Sequence, residues 1–233
     1  MIEFRVTVLC WFVALLVGSP ALAQQKSVKP NINNAFEDPD VDKFVERFER
    51  EGREIYDQRK AIVAACRLKS GMDIADVGAG TGLLTRLFAR EVGPRGRVYA
   101  VDIAKGFVDH IQKTCQQQGL NNVVGVVCDP DDARLPPGSI DLAFICDTYH
   151  HFEFPQKTMR TLHRALRPGG QLILIEFRRI EGVSSQWIMD HVRAGQETFC
   201  KEIADVGFAQ VDQQDLLEEN YFVRFKKVAA AKP

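Results

Sequence analysis

The sequence predicts an α/β protein in which a doubly wound sheet carries helices on both faces. Short apolar segments bounded by Gly or Pro alternate with longer segments whose apolar residues recur at helical spacing. A glycine-rich stretch, residues 76–82, lies between the first such apolar segment and a helical one. With 233 residues, 45% of them hydrophobic, the chain can bury one substantial core, so we expect a single domain.

The first 23 residues predict a secretory signal peptide. Arg5 precedes the apolar run 6–17, which is shorter than the roughly 20 apolar residues that span a bilayer. Residues 21–23 read Ala-Leu-Ala, a pattern that suits signal peptidase. We therefore expect cleavage after Ala23 and export to the periplasm or the medium. The alternative is a membrane anchor through residues 6–18 that stays attached, and we expect membrane association only through this segment.

Residues 24–68 contain a polar lead-in and then the first part of the domain. Residues 24–40 are polar and include Pro30, Pro39 and three Asn residues, so we expect a flexible lead-in. The domain itself is predicted over 41–233. Its first part, from 41 to 68, has apolar residues at helical spacing and predicts two helices separated near Gly52.

Strands and helices then alternate from residue 72 onward. Gly and Pro clusters at 93–96, 136–138 and 168–170 mark the breaks between them. The run 123–128 is almost continuously apolar, as in a buried strand of a parallel sheet. The predicted strands are 72–77, 97–101, 123–128, 141–146 and 171–177, the predicted helices are 83–91, 108–118, 156–166 and about 185–206, and segments 209–212 and 221–227 could pair as strands.

Residues 76–82 read Asp-Val-Gly-Ala-Gly-Thr-Gly and predict a nucleotide-type binding turn. Alternating glycines leave no side chains between the backbone and a ligand. A dinucleotide fold would place its third glycine where this chain has Leu83, which counts against a nicotinamide oxidoreductase. A P-loop would continue with Lys and Ser or Thr, whereas residues 83–86 read Leu-Leu-Thr-Arg, so triphosphate chemistry is not expected.

The pattern that remains resembles the first motif of the class I S-adenosylmethionine-dependent methyltransferases. The resemblance covers roughly residues 41–227 and implies a Rossmann-like sheet of seven strands with a reversed last strand. It implies S-adenosylmethionine as cofactor, with Gly78, Gly80 and Gly82 against its methionine and ribose portion and Asp76 anchoring the turn. Other parts of the chain are loosely similar to quinone-type and other small-molecule methyltransferases.

Four further cofactor-binding residues follow from the same resemblance, each at the end of a strand. Asp102 would accept both ribose hydroxyls, as a carboxylate can, or it caps the next helix instead. Ile103 would face the adenine. Asp129 would receive the adenine amino group, unless the cluster 129–132 is only a solvated acidic loop. Asp147, after the fourth strand, completes the set.

His150 and His151 follow the fourth strand and are the candidate catalytic residues. Methyltransferases of this class place residues between cofactor and acceptor here, and a histidine could remove a proton from an oxygen or carbon acid. Methyl transfer needs alignment more than a base, so packing roles stay open. Further residues are candidates for a substrate pocket, and each of them could equally be a packing residue or part of a surface ion pair. These are Phe44, Phe48, Tyr56, Arg59, Trp187, His191 and Arg193.

The composition narrows the expected partners. A net charge of -1 gives no electrostatic case for nucleic acid, so we expect a small-molecule or lipid-like acceptor. Five cysteines follow residue 23 at wide spacing without a Cys-x-x-Cys pair, and we expect no metal site. Export would separate the chain from the usual supply of S-adenosylmethionine. An exported module that binds this nucleoside without transferring a methyl group therefore stays an alternative.

Overall fold

The computed structural model describes residues 26–228, so the predicted signal peptide and the candidate anchor lie outside the described residues. Within this range seven strands form one mixed sheet. The strands are β1 Asp73–Val77, β2 Arg97–Asp102, β3 Val123–Val127, β4 Ile140–Cys146, β5 Leu166–Phe177, β6 Phe208–Gln214 and β7 Asn220–Lys227. The α-helices are α1 Val41–Phe48, α2 Glu54–Asp57, α3 Arg59–Ala65, α4 Leu83–Val92, α5 Lys105–Gln117, α6 Pro155–Ala165, α7 Gln186–His191 and α8 Gln196–Ala204. None of the helices within 26–228 is long and apolar enough to cross a membrane.

The sheet has the order β3-β2-β1-β4-β5-β7-β6. Strands β1 to β5 pair in parallel, and β7 is antiparallel to both of its neighbours. This confirms the doubly wound sheet of seven strands and its reversed last strand. The order of the strands reverses between β1 and β4, and the crevice at such a point is where ligands bind in open α/β sheets.

Alternating side chains of the central strands build a core on each face of the sheet. On β5, Leu172 and Leu174 belong to one buried cluster, whereas Ile173 belongs to the other. Helices α6 and α8 cover the first cluster, for example with Leu162, and α3 and α4 cover the second, for example with Phe88. Helices therefore lie on both faces, as predicted.

Most predicted elements are present with bounds shifted by a few residues, but three differ in kind, two of them in the second half of the sequence. The single helix predicted over 185–206 is divided into α7 and α8, because the buried Val192 turns the chain inward and Gly195 begins the second helix. Strand β5 begins at Leu166, before the predicted turn, because Leu166 pairs with Ile140. A register shift then accommodates the Gly-rich turn within the strand.

The described part of the predicted flexible lead-in, residues 26–40, packs against the domain. We call it the N-terminal strap. It contains a 3₁₀ helix, Asn34–Phe36. The Lys29 Nζ donates to the backbone carbonyl of His191 at 2.7 Å, and the Asn33 side-chain amide donates to the carbonyl of His151 at 3.1 Å. Beyond the strap, Gly52 separates α1 from two short helices, where one helix was predicted.

Candidate active site

A cavity of about 440 Å³ opens at the carboxyl ends of the central strands. The glycine turn after β1 forms one side, and the N-terminal strap, α1 and α7 contribute the opposite walls. Nine of the ten predicted site residues line it: Asp76, Gly78, Gly80, Asp102, Ile103, Asp129, Asp147, His150 and His151. Gly82 does not.

Glycine is needed at the three positions of the turn for different structural reasons. All have positive φ, at 72°, 55° and 78° for Gly78, Gly80 and Gly82. A Cβ on Gly78 would lie 2.1 Å from Thr148 Cγ2, and one on Gly82 would lie 2.6 Å from Ile111 Cγ1. At Gly80 the nearest side-chain atom would be 3.7 Å away. Two glycines therefore let the turn pack against the protein, and Gly80 leaves room on the cavity side.

Asp102 joins the glycine turn to the start of α5. Its Oδ2 accepts from the Gly80 N–H at 2.9 Å, and its Oδ1 accepts from the Ala104 N–H at 2.9 Å. The side chain is buried, with 7% of the residue exposed, and burial raises its pKa to about 6. Each carboxylate oxygen keeps a lone pair beyond these bonds. Asp102 thus fastens the helix start and still offers acceptors at the cavity wall.

Asp76 connects the start of the glycine turn to the helix that follows it. Its Oδ2 accepts from the Thr85 hydroxyl on α4 at 2.5 Å. Burial raises the pKa of this carboxyl to about 7, against the hydrogen bond from Thr85, which lowers it. The carboxyl therefore links β1 to α4.

Replacing Asp76 by asparagine should stabilise the chain at pH 8 and lose that advantage towards pH 5. The carboxyl has a pKa of about 7 in the folded chain and about 3.9 when unfolded. Between these two pKa values the folded state binds one proton more than the unfolded state. The free energy of unfolding of the unmodified chain therefore increases as pH falls through 7. Melting temperatures of both proteins between pH 8 and pH 5 measure this. A difference that is constant with pH would contradict the raised pKa.

His150 is held by a buried carboxylate. Its Nδ1 lies 2.8 Å from Glu176 Oε2, and its backbone N–H donates to the same oxygen at 3.2 Å. The two residues are 1% and 0% exposed. Because the carboxylate accepts the Nδ1–H, the Nε2 lone pair stays free. Sequence reasoning missed Glu176, although an acid at the end of the apolar run 171–177 was the available signal.

His151 and His191 lie beside His150. Their Nε2 atoms are 3.3 Å apart, and the Trp187 ring stacks on His191 with centroids 4.7 Å apart. Burial, with His150 nearby, lowers the pKa of His151 to about 2 and that of His191 to about 4. Both rings are neutral at pH 7. A ring with so low a pKa is a weak base, so His150 is the better candidate of the two predicted catalytic histidines.

Asp147 is tied to other parts of the protein. Its Oδ2 pairs with the Arg53 guanidinium at 2.8 Å, and its Oδ1 accepts from the Asn220 amide at 2.5 Å. Burial raises the pKa of this carboxyl, and Arg53 opposes the rise. Arg53 also donates to the Phe48 carbonyl at 3.1 Å. Asp147 therefore fastens α1 and β7 to the end of β4, and the sequence contained no pattern that singled out Arg53.

Asp129 lies at the rim of the cavity. Arg134 pairs with both side-chain oxygens of Asp129, at 2.6 and 2.8 Å. The Asp129 side chain is 41% exposed. Within the acidic cluster 129–132, Asp129 lines the cavity and Asp132 does not. Its contact with an adenine amino group stays a prediction.

Aromatic rings form the apolar wall opposite the glycine turn. Phe36 of the strap, Phe44 and Phe48 of α1, and Phe107 of α5 line it, and Phe44 packs on its three neighbours with centroids 5.2 to 5.4 Å apart. Trp187 and His191 also line the cavity. The other substrate-pocket candidates are outside it: Arg59 lies over the Tyr56 ring, and Arg193 pairs with Glu202.

An ion pair holds the end of α1 to the glycine turn. Arg86 binds both Glu49 oxygens at 2.7 Å and also donates to the Thr81 carbonyl at 2.8 Å. Both side chains are largely buried, at 11% and 17% exposed.

Replacing Glu49 by glutamine should weaken ligand binding in the cavity. The Arg86 charge would lose its partner in a partly buried position, and α1 would be less firmly held to the turn. We expect about tenfold lower affinity for the adenosyl ligand, or about 1.4 kcal/mol, by calorimetry. Asp109→Asn, which breaks the exposed pair of Asp109 with Lys105, is the control and should change nothing. Equal affinities in all three proteins would contradict the expectation.

Known proteins share this fold and this segment. The family described as a methyltransferase domain matches residues 75–174, from β1 into β5. A solved S-adenosylmethionine-dependent methyltransferase from Aquifex aeolicus superposes with a TM-score of 0.72 at 24% identity, covering 82% of this chain and all of that one. The [4+2]-cyclase SpnF superposes at 0.65 with 18% identity, covering 77% and 85%. The chain therefore has the fold of the class I S-adenosylmethionine-dependent methyltransferases, and its residues 75–174 match the methyltransferase-domain family.

Within that class the chain is similar to ubiquinone/menaquinone biosynthesis C-methyltransferases. It is 28% identical to the protein from Bordetella parapertussis over 118 residues, which is 51% of this chain and 45% of that protein. The protein from Shewanella frigidimarina is 26% identical over 185 residues, covering 67% and 73%. The chain thus spans about half the length of the first curated relatives it matches.

Proposed function

We propose that this protein transfers a methyl group from S-adenosylmethionine to a small, largely apolar acceptor. The observation that carries the proposal is the cavity at the reversal of strand order, where Gly80 exposes bare backbone to the cavity and Asp102 keeps acceptor lone pairs. These residues fit a ligand with ribose hydroxyls, because a carboxylate can accept from both. When bound, the cofactor supplies a methyl group from a sulfonium whose sulfur keeps the bonding electron pair.

The residues of the chain would align the acceptor and take up its proton. An acceptor atom that forms the new bond to carbon gives up one proton, and the Nε2 of His150 is free to receive it. Glu176 would stabilise the resulting imidazolium, since the two side chains are 2.8 Å apart and buried. The methyl group is thereby gained and one proton is lost, so the acceptor's atoms and charge balance.

The aromatic wall favours a flat, apolar acceptor. Phe36, Phe44 and Phe48 present rings to the cavity opposite the turn, and apolar rings in such a pocket favour aromatic ligands. The relatives named for ubiquinone and menaquinone biosynthesis support a quinol ring, with an unsubstituted ring carbon as the methyl acceptor. We propose this acceptor class for the chain.

Two measurements test the proposal in sequence. Calorimetry with S-adenosylmethionine should detect binding, and labelled cofactor should transfer its methyl group to a short-chain naphthohydroquinone with an unsubstituted ring carbon. Binding without transfer to quinols or to a cell extract would instead favour the exported binding module. Absence of cofactor binding by the folded chain would overturn both.

For the N-terminal segment we propose export. The support is the apolar run 6–17 and the Ala-Leu-Ala sequence at 21–23. Mass spectrometry of the protein from fractionated cells should find Gln24 as its first residue. A chain that keeps residues 6–18 and sediments with membranes would support the anchor instead.

A further inference from the structure

Three of the chain's five histidines meet at one side of the cavity. His150 and His151 belong to the 3₁₀ helix Tyr149–His151 after β4, and His191 is the last residue of α7, 40 positions further along the chain. One ring nitrogen from each lies within 4.8 Å of the others. The fold therefore assembles a cluster that the sequence does not display.

One pair of these nitrogens has the spacing of metal ligands, and the third nitrogen lies within 4.8 Å of both. Two nitrogens bound tetrahedrally to zinc at about 2.0 to 2.1 Å are about 3.3 Å apart. The Nε2 atoms of His151 and His191 are separated by 3.3 Å, which is long for a direct hydrogen bond. We propose that His150, His151 and His191 bind one divalent transition metal of the zinc type. Side-chain rotation would close the wider separations in the cluster.

The surroundings of the three rings suit this role. Metal ions bind imidazole nitrogens, and the rings of His151 and His191 are partly buried at the cavity. Glu176 accepts from His150 Nδ1, which is the carboxylate–histidine arrangement that orients a ligand whose other nitrogen is on the metal. The His151 Nδ1 is buried without a hydrogen-bond partner among residues 26–228, so this nitrogen has no bond to break before it binds a ligand.

A metal held by three histidines keeps a position for water or another oxygen. All three rings line the cavity, so that position would be reached by a quinol oxygen. This step rests on the proposed function, whereas metal binding itself does not. A bound metal would also occupy the His150 lone pair that otherwise receives a proton.

Calorimetry of the full chain with Zn²⁺, after dialysis against a chelator, tests the site without any activity measurement. We expect one Zn²⁺ per chain. His151→Gln and His191→Gln should each weaken binding at least tenfold, and Glu176→Gln should weaken it about 10- to 100-fold. His163→Gln is the matched control, because His163 is only partly buried and its Nε2 contacts the Val228 carbonyl away from the cluster. Its affinity should equal that of the unmodified chain.

The visible spectrum with Co²⁺ distinguishes histidine from cysteine ligands, since thiolate ligands add charge-transfer absorption in the near ultraviolet. A spectrum without such absorption, lost in His191→Gln, supports the site. Failure of the unmodified chain to bind either metal overturns the proposal, and so does binding that survives His151→Gln and His191→Gln together. Methyl transfer by a chain that binds no metal would overturn the metal site and leave the proposed function standing.

Discussion

Replacing Gly80 by valine should abolish S-adenosylmethionine binding while the chain stays folded. A Cβ at this position would lie 3.7 Å from the Phe48 ring, an ordinary contact, so the added methyl groups would occupy the space between the turn and this ring. The Gly80 N–H would still donate to Asp102. We expect the affinity to fall at least about 100-fold, or about 2.7 kcal/mol, because each tenfold change is about 1.4 kcal/mol. Calorimetry measures the affinity.

The valine also introduces backbone strain, which needs its own control. Gly80 has φ of 55°, a left-handed conformation that β-branched residues rarely adopt. Gly138 has φ of 60° with no atom within 4 Å of an added Cβ, and it does not line the cavity. Gly138→Val should therefore show a similar loss of melting temperature with unchanged affinity. Undiminished affinity in folded Gly80→Val would remove the turn from the cofactor site.

Replacing His150 by glutamine should slow methyl transfer to a proton-bearing acceptor without weakening cofactor binding. General bases contribute about 10²- to 10⁴-fold to rate, so kcat should fall by about this factor. The Kd for S-adenosylmethionine should stay the same, because His150 is not among the cofactor contacts predicted here. Assays in the presence of a chelator keep the effect of a bound metal separate.

Glu176→Gln distinguishes a base from a packing residue. An amide can still bond His150 but does not stabilise its imidazolium, so kcat should fall and its dependence on pH should change while KM for the cofactor does not. His163→Gln should behave as the unmodified chain in both assays. If His150→Gln lowers the melting temperature sharply and leaves kcat unchanged, the ring is structural.

The sequence predicted the parts of the molecule that depend on local patterns. Alternating apolar segments and turn residues predicted the sheet, because buried strands must be apolar and connections need Gly or Pro. The turn 76–82 was recognised because backbone conformation required its glycines, and Asp102 because it ends a strand. Even there, the structure gives Gly78 and Gly82 a packing reason that the spacing alone did not contain.

The rest of the site depends on contacts between distant parts of the chain. Arg53 and Asp147 are 94 positions apart, and His151 and His191 are 40 apart. No local pattern marks such pairs. Glu176 differs, because a carboxylate in an apolar strand needs a buried partner and could have been singled out. The strap 26–40 was predicted as flexible from its composition, whereas Phe36 finds aromatic partners on α1 and α5.

The position of β7 has a consequence for how the protein is made. This strand follows β6 along the chain, yet it lies between β5 and β6 and begins with Asn220, the residue that bonds Asp147. Until β7 has left the ribosome, β6 lacks the strand with which it pairs and the Asp147 end of the cavity is incomplete. A nascent chain can therefore gain little stability from cofactor, since a ligand stabilises only the state that binds it. Removal of residues 220–228 should leave a chain that cofactor no longer protects from proteolysis.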